Sequence, residues 1–78
     1  MAELLTTVEE LLAEIDRRAP GLTEFRLWVP EKLSLQGALV PPDVAMVVIV
    51  GRLVSLDLFP DGFVEGRGGR TYIYRRGA

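Results

Sequence analysis

The chain has 78 residues, 49% of them hydrophobic and 26% charged, with a formal net charge of −2, which is enough apolar surface to fold and enough length for one domain, residues 1–78. A domain this short buries only roughly 60% of the surface of its unfolded chain, so self-association is expected. With no Cys and no His, disulfides, thiolate chemistry and the commonest general base and metal ligand are excluded, and the chain is expected to be non-catalytic and without a cofactor.

The N-terminus, Met1-Ala2-Glu3-Leu4-Leu5, places an acid where a secretory leader needs a basic region. The most apolar stretch, Val44 to Phe59, is interrupted by Arg52 and Asp57, well short of the ~20 residues a spanning helix requires. A cytoplasmic protein with no membrane segment is expected. Leu4, Leu5, Val8, Leu11, Leu12, Ile15 and Ala19 recur at three- and four-residue spacing while Glu9, Glu10, Glu14 and Asp16 to Arg18 fall elsewhere, which predicts an amphipathic helix. Thr6 and Thr7 each stand at capping-box spacing from a Glu, whereas Leu4 and Leu5 argue for an earlier start, so the first turn stays open. Pro20-Gly21 ends the helix.

From Leu22 to Val29 the period changes to two: Phe25, Leu27 and Val29 face one way, and Glu24, Arg26 and Trp28 the other, a half-buried strand. Trp28 on the charged side is explained by a covering layer or an interface. After a turn at Pro30-Glu31, residues 32–36 alternate and can pair back as a short edge strand. Val40-Pro41-Pro42-Asp43 reads as a linker followed by an N-cap at Asp43, with a second helix over Val44 to Leu58. A strand through the β-branched run Val47 to Val50 is the alternative there. On the helical reading, Ala45, Val48, Arg52 and Ser55 share one face and apolar residues cover the rest, so a face beyond the core meets a second copy. The candidate self-association face is Ala45, Val48 and Arg52, with Trp28.

Phe59-Pro60-Asp61-Gly62 reads as a turn, because Pro sets φ and Gly accepts a positive one. Residues 63–67 and 70–75 then flank Gly68-Gly69 as a two-residue hairpin connection, in which both glycines take positive φ. This register sets Phe63 opposite Tyr74, Glu65 opposite Tyr72, Arg67 opposite Arg70 and Val64 opposite Ile73. The predicted fold is therefore a two-layer α+β domain, two helices packed on a small antiparallel sheet, in the order α-β-(β)-α-β-β.

Charge divides unevenly along the chain: residues 1–50 hold eight acids and four bases, and residues 51–78 three acids and five arginines. Arg67, Arg70, Tyr72, Tyr74 and Arg76, with Arg75, crowd onto the hairpin as a candidate anion or nucleic-acid contact. Facing arginines need a neutralising partner, either a phosphate or Glu65. The order helix, strand, turn, helix, basic hairpin resembles the layout of winged-helix DNA-binding domains, where a hairpin wing follows the recognition helix. Such a helix presents basic and polar side chains to a groove, whereas 44–58 offers only Arg52 and Ser55. Asp57, Asp61 and Glu65 have no partner His and read as turn solvation rather than a metal or acid–base site. The leading reading is a homodimeric, protein-binding interaction module, and nucleic-acid binding through the hairpin is its rival.

Overall fold

The structure, a computed structural model, describes residues 6–77. Helix α1 spans Val8–Arg18, and Thr7 is its N-cap: the Thr7 hydroxyl accepts from the Glu10 amide at 3.0 Å, relieving one of the unpaired donors of the first turn. Leu4 and Leu5, which argued for an earlier start, lie outside the described residues. Val8, Leu11 and Ile15 are buried, so the apolar spacing faces the core as expected.

Strand β1 (Glu24–Pro30) buries Phe25, Leu27 and Val29 and leaves Arg26 and Trp28 exposed, the alternation of a strand covered on one face. It pairs antiparallel with β5 (Gly69–Arg76), which pairs in turn with β4 (Leu58–Gly66), giving a three-stranded sheet of order β1-β5-β4. Both helices lie on the Phe25–Leu27–Val29 side and close one core that also holds Tyr74, Leu58 and Leu33. Two α-helices on an antiparallel sheet make this an α+β fold, in the order α-β-β-β-α-β-β.

The added strand arises at 32–40. Instead of pairing with β1, Leu33–Leu35 (β2) folds back on Ala38–Val40 (β3) as a separate two-stranded sheet. Gln36 and Gly37 connect them, both at positive φ (52° and 84°), the conformation whose twist suits a two-residue hairpin. The small sheet is tied to α1: the Ser34 amide donates to the Thr6 carbonyl at 3.2 Å, and the Gln36 amide to the Glu9 carboxylate at 2.9 Å.

Helix α2 spans Pro42–Ser55, so the helical reading of this stretch holds over the strand alternative, with both ends moved. Pro41 rather than Asp43 is the N-cap, and no side chain caps the turn. Proline at the first helical position loses no bond there, since its missing N–H would be unpaired anyway. Asp57 takes a left-handed φ of 66° and its amide returns to the Val54 carbonyl at 2.9 Å, which stops the helix before Leu58. Leu58 then opens β4, fully buried. Residues 59–62 continue that strand and are not the expected turn; pairing shifts between Pro60 and Phe63, with Gly62 at φ 107°. A bulge on an edge strand accommodates a proline that cannot donate to the ladder.

The hairpin register differs from the expected one by two residues. Phe63 faces Tyr72, Val64 faces Thr71, Glu65 faces Arg70 and Gly66 faces Gly69, so the turn is Arg67-Gly68. Only Gly68 of the expected pair has positive φ (81°). Gly69 is needed for a different reason: a Cβ there would collide with the Val29 carbonyl oxygen and stand 2.9 Å from the Trp28 ring. A Cβ on Gly66 would likewise meet that ring at 2.9 Å. Trp28 thus lies across both glycines on the outer face of the sheet, a packing that fits the observed register. No helix among the described residues is long and apolar enough to cross a membrane.

Candidate functional site

The basic residues of the hairpin do not form one patch. Arg70 faces Glu65 across the strand pair, with 2.7 Å between charged groups, and its guanidinium stacks 4.4 Å above the Phe63 ring. Interaction with the Tyr72 side chain, and secondarily with Glu65, holds the Arg70 pKa above its ordinary value. Arg75 bonds Asp61 and lies 3.1 Å from Glu24; the hydrogen bond to Asp61 raises its pKa in the same direction. Arg76 is turned to structural use, donating to the Leu22 carbonyl at 2.8 Å and the Leu56 carbonyl at 3.2 Å. It thereby ties the end of the sheet to the end of α2. Within the cluster only Arg67, in the turn, has no ion pair among the described residues.

The expected opposition of Arg67 and Arg70 is therefore absent, and Glu65 takes the place of Arg67 opposite Arg70. Each exposed pair contributes little to stability. Together they leave Arg70 and Arg75 already holding carboxylates. The two tyrosines part as well. Tyr72 packs on Phe63 with ring centroids 5.6 Å apart, whereas Tyr74 is buried in the core. The Tyr74 hydroxyl has no hydrogen-bond partner among the described residues, and burial, followed by the charge of Tyr72, pushes its pKa up to about 12. It offers no surface for stacking.

The residues expected to form a self-association face are also separated. Ala45 is fully buried, on the inner side of α2 with Ile49 and Leu53, and so is removed from any surface. Arg52 bonds Asp16 of α1, while Val48, one turn before it on the same flank of α2, stays exposed at 37%. Trp28 is 44% exposed but stands on the outer face of the sheet, away from the face that α2 covers.

A second apolar stripe on α2 lies next to Val48 on the exposed side of the helix. Val44 is 45% exposed, Val47 74% and Val54 40%, with Gly51 exposed between them. At 100° per residue, these positions lie opposite the buried stripe of Ala45, Ile49 and Leu53. Asp43, Met46, Val47, Val50, Gly51 and Val54 line a shallow apolar groove of about 610 Å³. It meets at Met46 a smaller cleft of about 210 Å³, which reaches Val29, Pro30, Glu65, Arg70 and Tyr72. Gly51 is unexplained inside the chain. A Cβ there would meet nothing within 4 Å and its φ is not positive, yet glycine in a helix interior costs about 1 kcal/mol relative to alanine. The sequence signal for this stripe is the spacing 44, 47, 51, 54. It is hidden because the buried stripe opposite it is equally apolar.

Among the described residues no group of three acidic or other ligating side chains is arranged to hold a metal ion. Comparison with family models, curated proteins and solved structures finds no match to the chain.

Proposed function

We propose that the chain is a small, non-catalytic, cytoplasmic interaction module that self-associates through the outer face of α2. One observation carries the reading: a 14-residue helix that satisfies the core with one apolar stripe and leaves a second open, with Val47 74% exposed. Contiguous exposed apolar surface of this kind marks interaction sites. The absence of His and Cys from the chain supports a binding role over a chemical one. The carboxylates already bound to Arg70 and Arg75, and the backbone carbonyls that hold Arg76, favour a protein partner over a phosphate backbone.

Sedimentation velocity from micromolar to hundreds of micromolar tests the reading. A concentration-dependent dimer is expected, and Val47→Glu is expected to sediment as a monomer throughout. A parent chain that stays monomeric over that range contradicts it. Binding to a mixed-sequence duplex at two salt concentrations, with and without Arg67→Glu/Arg70→Glu, addresses the rival. Tight binding with a steep salt slope that the double substitution abolishes would transfer the function to the hairpin.

A further inference from the structure

Resting on that reading, we propose a specific arrangement: the outer face of α2 receives the same face of a second copy, antiparallel across a two-fold axis, with Val47 of each copy seated over Gly51 of the other. The spacing of the stripe argues for it. Val44, Val47, Gly51 and Val54 are separated by three, four and three residues, a seam of the coiled-coil kind that reads the same in both directions. Reversing one copy sets Val44 against Val54 and Val47 against Gly51. A two-fold interface requires this reciprocity, since each residue must meet a partner that meets it in return.

Shape supports the same pairing. Val47 is the most exposed valine of α2 and Gly51 the position with no side chain, so the protrusion of one copy meets the depression of the other. The open space around Gly51, in which a Cβ would touch nothing, then has an occupant. Charge selects the direction. The stripe from Val44 to Val54 contains no ionisable residue, and Asp43 stands at its N-terminal end. A parallel pair would place Asp43 against Asp43 and align the two helix dipoles. The antiparallel pair sends the acids to opposite ends, about 18 Å apart along the axis at 1.5 Å per residue, and opposes the dipoles.

Because the chain has no Cys, single thiols report the geometry directly. Val44→Cys and Val54→Cys chains, one carrying a mass tag, are mixed at equal concentration and cross-linked with a short bis-maleimide. The mixed species is expected to exceed either self-linked species at least tenfold. Dominant self-linking of Val44→Cys, or a statistical mixture, overturns the antiparallel arrangement while leaving self-association intact. A parent chain that sediments as a monomer overturns the underlying reading instead. Gly51→Ala supplies an independent arm at a site where a methyl group fits the isolated chain. The substitution is expected to raise thermal stability at high dilution and to weaken dimerisation at least tenfold. Unchanged dimerisation would mean that nothing sits over Gly51.

Discussion

Helices α1 and α2 lie in one core and bury comparable stripes, Val8, Leu11 and Ile15 from the first and Ala45, Ile49 and Leu53 from the second. Their outer sides differ. α1 presents Glu9, Glu10, Asp16, Arg17 and Arg18 to solvent, is capped by Thr7, and binds Arg18 to its own Glu14. α2 presents Val44, Val47, Gly51 and Val54 and has no side-chain cap. A helix needs one apolar stripe to dock on a sheet. Every feature of α1 is therefore accounted for within the chain, whereas α2 carries a second stripe of β-branched residues, and a glycine, that the isolated fold does not use.

The comparison is tested first where the helices should agree. Leu11→Ala and Ile49→Ala each remove a buried side chain from the same core, so each is expected to cost roughly 2–5 kcal/mol in urea unfolding. A loss under about 1 kcal/mol at Ile49 would mean that the inner stripe of α2 is not the core stripe. The outer faces should then disagree. Val47→Glu is expected to weaken dimerisation at least 100-fold, about 2.7 kcal/mol, while Ala13→Glu on the exposed side of α1 leaves it unchanged. Both should hold unfolding at high dilution within about 0.5 kcal/mol of the parent.

The core beneath both helices has its own signature in alkali. The folded Tyr74 pKa of about 12 lies above the ~10 of an unfolded tyrosine, because burial penalises the phenolate. Its contribution is complete below pH 10 and is lost as the pH rises toward 12, for a decline of roughly 1–3 kcal/mol. Tyr74→Phe is expected to flatten that decline. It should not lower stability at neutral pH, since the hydroxyl it removes is buried without a partner among the described residues. A neutral-pH loss above about 1 kcal/mol would reveal a hydrogen bond at that hydroxyl. The smallest contrast is at the helix starts. Thr7→Ala should cost about 1 kcal/mol by thermal unfolding, and Asp43→Ala less than half as much, because Asp43 sits in the first turn without capping it. Equal losses would return Asp43 to the capping role its sequence context suggested.

Much of this fold was legible in the residues themselves. The spacing of Val8, Leu11 and Ile15 and the alternation of Phe25, Leu27 and Val29 each place one apolar face inward, and periodicity reads that directly. The hairpin was legible as a hairpin but not in register. Gly66-Arg67-Gly68-Gly69 accepts a two-residue turn at either of two places, and a shift of two residues leaves every side chain on its original face. The long-range packing of Trp28 on Gly66 and Gly69, and the pairing of Glu65 with Arg70, both favour the observed choice. Residues 38–40 were missed because a three-residue strand is too short to show alternation and Pro41-Pro42 follows it at once. Leu58 passed for helix because the stop is a left-handed Asp57, a conformation more often taken by glycine. The candidate face of α2 was misplaced for a related reason. A helix apolar on nearly all sides contains no pattern that says which side meets the sheet, so the sequence reading puts Ala45, which the fold buries fully, on the outward face.

Dilution of an isotope-labelled chain, followed by amide chemical shifts, tests the difference between the two helices most directly. The amides of Val44, Val47, Gly51 and Val54 should move together on dilution with a single dissociation constant, while those of Glu9, Glu10, Ala13 and Asp16 on the outer side of α1 stay fixed. Shifts confined to Arg67 and the hairpin, or an α2 whose outer amides do not respond at concentrations where the chain is dimeric, would contradict the assignment of that face.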